Sequence, residues 1–150
     1  MTIRDELLAQ NRAVYLPALS KPFAQFAHSG AFKRPIPFAA TDLNFLDPGN
    51  RLPFHYPYAL YSAGQAAKAK TVSATPDMVS ARNRGRTIVL GDSGGFQVQG
   101  GTIEFEGRET TRRMMRWMEA NTDYSMVLDF PTGGISSGKM RPHTERLKQS

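Results

Sequence analysis

Two aspartates stand directly behind short apolar runs. Asp92 follows Leu90-Gly91 at the end of Thr87-Ile88-Val89-Leu90, and Asp129 follows Val127-Leu128 at the end of Tyr124-Ser125-Met126-Val127-Leu128. Continuous apolar runs of this length fit strands buried on both faces, as in parallel sheets. Side chains at the carboxyl ends of parallel strands converge on one active site. Asp92 and Asp129 are therefore expected across one cleft, one moving a proton and the other accepting hydrogen bonds from a ligand's N–H donors. Gly94-Gly95 and Gly133-Gly134 would let backbone approach a flat ligand closely. A strand-end aspartate also commonly caps the next helix, so the pattern by itself leaves both roles open.

The elements around these acids alternate. Tyr58–Ser62 reads as a short strand. Thr75-Pro76-Asp77 reads as a helix start, with Thr75 as cap, Pro76 at the first helical position and Asp77 complementing the dipole, and Gly85 as its end. The strand before Asp92 and a glycine-rich turn come next. A helix over 108–121 then carries Thr111, Met114, Met115 and Met118 on one face, with Arg112, Arg113 and Arg116 largely on others. The strand before Asp129 follows, and 141–150 reads as the opening of a further helix. This order predicts an α/β protein with parallel strands. Upstream, residues 1–30 read as partly helical, with Leu7, Leu8 and Val14 on an apolar face that Pro17 interrupts. Residues 32–57 read as extended segments joined by turns, with Asp47-Pro48-Gly49-Asn50 a clear one.

Bulk properties narrow the function classes. The chain has 150 residues, 40% hydrophobic and 21% charged, a globular composition long enough for one domain with a core. Cysteine is absent, which removes disulfides, thiolate catalysis and thiolate-rich zinc sites. His28, His55 and His143 show no metal spacing, so no metal site is expected here. No apolar run is long enough for a membrane span, and the acidic start Asp5-Glu6 does not fit a signal peptide, so a cytoplasmic protein with no membrane partner is expected. The formal charge of +6 favours polyanions, nucleic acid first among them. Arg82, Arg84 and Arg86, and again Arg112, Arg113 and Arg116, are candidate phosphate contacts, although such runs also form solvated helix faces.

Gly91-Asp92-Ser93-Gly94-Gly95 invites comparison with the nucleophile region of chymotrypsin-like serine proteases. Neither His28 nor His55 has the sequence context of their catalytic histidine, and Phe96-Gln97 stands where that pattern expects proline. Read on through Asp92-Ser93-Gly94-Gly95-Phe96-Gln97-Val98, the segment instead resembles the signature of the tRNA-guanine transglycosylase family. Val127-Leu128-Asp129-Phe130-Pro131-Thr132 resembles a strand-end segment of its archaeosine-type members. The compact interval between the two acids also looks more like that type than the queuine type.

The resemblance covers about residues 86–135 and implies a fold and a chemistry. The fold is a (β/α)8 TIM barrel, of which this chain would supply the first part as a single incomplete catalytic domain. Residues 1–57 would be a divergent N-terminal segment and 58–150 the start of the barrel. The implied activity is that of a glycosyltransferase acting as a pentosyltransferase, which replaces guanine by a 7-deazaguanine derivative in tRNA. A related branch performs the exchange in DNA, and a non-catalytic remnant that binds nucleic acid or a partner is a further alternative. In the family pattern Asp92 matches the proton acceptor and donor for the exchanged base. Ser93, Gly94, Gly95 and Gln97 match the turn lining its pocket, Phe96 the aromatic that stacks on the base, and Asp129 the acid that reads the guanine edge. The family's nucleophile and its zinc ligands lie in a later part of the barrel, so zinc is expected there and no cofactor within this chain. A part barrel with open strand edges is expected to aggregate or to pair with a second copy.

Overall fold

Four short strands lie side by side, all parallel, in the order in which they leave the chain. The computed structural model describes residues 2–10, 13–30, 39–51, 54–66, 76–95, 97 and 108–126. Strand β1 is Ala18–Leu19, β2 is Tyr58–Ser62, β3 is Ile88–Asp92 and β4 is Tyr124–Ser125. Helices α1 (Ile3–Ala9), α2 (Lys21–Ser29), α3 (Ala63–Ala66) and α4 (Arg108–Asn121) accompany them, with a 3-10 turn at Ala40–Leu43. The protein is thus α/β, with a four-stranded parallel sheet among the described residues. No helix among the described residues is long and apolar enough to cross a membrane.

The longest register joins β2 to β3, running from Tyr58 beside Ile88 to Ser62 beside Asp92. Side chains alternate between the faces of a strand. Leu19, Ala59, Tyr61 and Val89 share one face and enter the main core with Ala24 and Ala27 of α2 and Met114, Trp117 and Met118 of α4. The ring of Tyr61 meets the indole of Trp117 edge to face at 5.0 Å, a geometry that contributes about 1 kcal/mol beyond simple burial. The opposite face carries Tyr58 and Ile88, which are buried, and Leu60, Leu90 and Asp92, which are half-buried.

Local sequence accounts for the helix ends. In α1 the Thr2 hydroxyl accepts from the Asp5 amide while the Asp5 carboxylate accepts from the Thr2 amide at 2.8 Å, a reciprocal cap. The Thr2 amide and hydroxyl, both donating to the Asp5 carboxylate, hold it below its ordinary pKa. Ser20 caps α2, Pro22 sits in its first turn, and Gly30, left-handed at φ 68°, ends it. Pro17 therefore does not interrupt a long helix. Its carbonyl accepts from the Leu60 amide at 2.9 Å and leads the chain into β1.

Three further expectations are corrected. Residues 78–82 form turns rather than a helix reaching Gly85. Asp77 itself is the cap, its Oδ1 accepting from the Val79 and Ser80 amides, while Thr75 lies outside the described residues. The Asn83 side chain then accepts from the Gly85 amide and folds the chain into β3 before a second helical turn can form. The buried seam of α4 is Thr110, Met114, Trp117, Met118 and Asn121, whereas Met115 is 56% exposed. Met114 and Met118 of the expected face do lie in the seam, but Trp117, the largest apolar side chain, sits against Tyr61 and sets the rotation that leaves Met115 outside it. Finally, Tyr124 and Ser125 are exposed rather than buried, as expected of the outermost strand among the described residues. The turn at Asp47 forms as read, with the Gly49 amide donating to Asp47 Oδ1 at 2.8 Å.

One buried ion pair ties these parts together. Arg82 donates through Nη2 to Asp123 Oδ2 at 3.0 Å and through Nη1 to the Val79 carbonyl. Asp123 Oδ2 also accepts from the Val89 amide at 2.8 Å, and the Asp123 amide donates back to the Val89 carbonyl. Burial lowers the pKa of the Arg82 guanidinium, and the hydrogen bond and charge of Asp123 oppose that shift.

Candidate functional site

Asp92 is the last residue of β3, a central strand, and its side chain is half-buried on the less covered face of the sheet. Strand pairing sets Ser62, the last residue of β2, directly beside it, at the strand spacing of about 4.8 Å. A carboxylate and a hydroxyl therefore end neighbouring strands at the same height. Ser62 has no counterpart in the sequence reading, although its signal was available: Tyr58–Ser62 and the strand before Asp92, taken as parallel and end-aligned, put the two side by side.

Behind Asp92 the chain turns tightly. Ser93 is buried at 1% exposure, and Gly94 and Gly95 are buried with it. Gly94 is left-handed at φ 80°, and a Cβ there would stand 2.5 Å from the Gly64 nitrogen and 2.6 Å from its Cα. A Cβ on Gly64 would in turn lie 2.6 Å from Gln97 Oε1 and 2.9 Å from Gly94 Cα. The Gln97 amide closes the turn by donating to the Gly94 carbonyl at 3.1 Å. Gln97 Oε1 accepts from the Ser62 hydroxyl at 3.3 Å. The glycine at position 94 thus admits the backbone of Gly64 at the start of α3.

Of the sequence-derived site residues, Asp92, Ser93, Gly94, Gly95 and Gln97 form one cluster, and Asp92 and Gln97 present its half-buried polar side chains. Phe96 and Asp129 lie outside the described residues, as do Val98, Gly133-Gly134, the run before Asp129 and the segment 141–150. Arg82 is not a phosphate contact, because its side chain is fully enclosed with Asp123. Arg84 donates to the Ala120 carbonyl at the end of α4, where a cation complements the helix dipole. Among the described residues no group of three His, Cys, Asp or Glu could hold a metal ion; the zinc that the resemblance implies belongs to a later part of the barrel.

No family model, curated protein or solved structure matches the chain. The site therefore rests on its own residues: a strand-end carboxylate beside a hydroxyl, above a turn packed glycine on glycine.

Proposed function

We propose that the chain supplies the first part of a base-exchange enzyme that replaces guanine by a 7-deazaguanine derivative in tRNA. The observation that carries this reading is the position of Asp92, accessible at the carboxyl end of a central parallel strand within the Asp92–Val98 segment that resembles the transglycosylase signature. Exchange needs a proton delivered to the departing guanine as its bond to ribose breaks. It needs another removed from the incoming base as the new bond forms. A single carboxyl with solvent access on one side can do both, and the Ser62–Gln97 pair beside it offers polar groups to hold the base in plane. Phe96 and Asp129 keep their expected roles, stacking on the base and reading its edge, on the strength of the sequence.

A (β/α)8 barrel as the parent fold is supported by the strand order. Parallel neighbours in unbroken chain order, joined by right-handed crossovers, put every connecting helix on one face. The main core lies on the Tyr61 side of the sheet and engages both α2 and α4, as that winding requires. A doubly wound sheet would reverse its order and cover both faces.

The test is uptake of radiolabelled guanine into tRNA and, separately, into duplex DNA, by the full-length protein. Uptake into tRNA that disappears in Asp92→Asn is the expected result. No uptake into either polymer, or unchanged uptake by that variant, overturns the reading.

A further inference from the structure

We infer that the outward face of α4 docks the phosphate backbone of the tRNA, an inference that rests on tRNA being the substrate and adds a second contact region outside the base site. Arg108, Arg112 and Arg116 recur every four residues along this helix and are exposed. Four residues of helix rise about 6 Å, so the guanidinium groups form a ladder commensurate with the reach from one phosphate to the next along a strand. Together with Thr111, Met115 and Glu119 they line a shallow groove of about 300 Å³. Met115, an exposed apolar residue, is among the side chains that line it. Arginine suits such a surface because its planar fork donates to phosphate oxygens in pairs.

The charges of the face are unevenly satisfied. Glu109 pairs with Arg112 at 3.1 Å, and Glu119 lines the groove's other end. Among the described residues neither Arg108 nor Arg116 forms an ion pair. An anion laid along the groove would meet net positive charge. Position favours the same conclusion. Strands β3 and β4 are parallel, so α4 between them must run back along the sheet. Its first residue, Arg108, therefore starts at the end where Asp92 lies, and the ladder leads away from the rim of the base site. A polymer whose one nucleotide entered that site would have to pass the carboxyl end of the sheet to reach this face, since Asp92 and α4 lie on opposite sides of it.

The test measures binding, not exchange. Full-length protein is titrated into fluorescein-labelled tRNA by anisotropy across a salt series, for the wild type, Asp92→Asn and the triple variant Arg108→Gln, Arg112→Gln, Arg116→Gln. A second triple, Lys21→Gln, Lys33→Gln, Arg51→Gln, removes equal charge elsewhere in the sequence. Each lost phosphate contact should flatten the slope of log K against log salt by about 0.7, so the α4 triple should lose about 2 in slope and at least about tenfold in affinity. The second triple and Asp92→Asn should keep the wild-type slope, with all melting temperatures alike. Equal losses in both triples, or none in the α4 triple, would overturn the inference. So would tighter binding of duplex DNA or poly-glutamate than of tRNA. A failed exchange assay alongside the α4-specific slope change would remove the chemistry and leave the docking face standing.

Discussion

Gly94 and Gly64 touch backbone to backbone: a Cβ on Gly94 would come within 2.5 Å of the Gly64 nitrogen. This contact joins the loop leaving β3 to the segment leaving β2, and so fixes the height of Asp92 relative to Ser62. The relevant freedom of Gly94 is both steric and conformational, since its φ of 80° is one L side chains rarely adopt.

Gly94→Ala should destabilise the protein by about 2 to 4 kcal/mol, combining left-handed strain with overpacking against main chain that cannot move aside. Gly64→Ala meets Gln97 Oε1, which can shift, and the Gly94 Cα, which cannot, so a smaller but measurable loss is expected. Urea denaturation measures both. A Gly94→Ala protein as stable as the wild type would show that Gly94 and Gly64 do not pack as described.

Asp92→Asn should abolish base exchange while shifting stability by less than about 0.5 kcal/mol, because volume is kept and a half-buried strand-end amide is readily solvated. Ser62→Ala removes a hydroxyl that donates to Gln97, and about a tenfold loss of exchange is expected from a loosened base pocket. Guanine uptake and thermal melting, run in parallel, separate the two effects. Exchange unchanged in Ser62→Ala would remove that residue from the site.

Elements whose own residues carry the signal were legible in sequence: β2 and α4 have the bounds read from their patterns, and Asp92 closes β3. What could not be read is set by partners distant in the chain. Strand β1 is two residues long and exists because Pro17, Ala18 and Leu19 find β2. The rotation of α4 follows from Trp117 meeting Tyr61, which period alone does not show when Met115 is equally apolar. The expected helix after Thr75 failed because Asn83 supplies its own turn so soon after Asp77. Ser62 looked like any strand-end serine until the register set it beside Asp92. Arg82 read as a surface cation because only the fold brings Asp123 to it.

Asp123→Ala should cost about 3 to 5 kcal/mol, since it leaves the buried Arg82 guanidinium without a carboxylate. Arg82→Ala should cost less, because Arg4 stands 3.8 Å from Asp123 Oδ1. Arg82→Ala and Asp123→Ala should not add. The double variant should fall well short of the sum, with a coupling above about 1 kcal/mol in a double-mutant cycle followed by urea denaturation. Additive losses would mean that the pair contributes nothing beyond the packing of each side chain.

Tyr61 gives the protein an alkaline limit. Its hydroxyl donates to Asp77 Oδ2 at 3.0 Å inside the core. Burial pushes the phenol's pKa up, and the charge and hydrogen bond of Asp77 push it further. Below pH about 10 the phenol is neutral in both folded and unfolded chains and stability does not depend on it. Above that pH the unfolded chain releases its proton and the folded one keeps it, so stability falls by up to about 1.4 kcal/mol per pH unit. Tyr61→Phe keeps the edge contact with Trp117 and loses the hydrogen bond, so it should be less stable at pH 7 by about 1.5 to 3 kcal/mol. Its stability should decline less steeply above pH 10, and the gap to the wild type should narrow. Urea denaturation from pH 7 to 11 tests this, with tyrosinate absorbance reporting when the buried phenol ionises. A constant gap across that range would show that Tyr61 titrates as freely in the folded protein as in the unfolded chain.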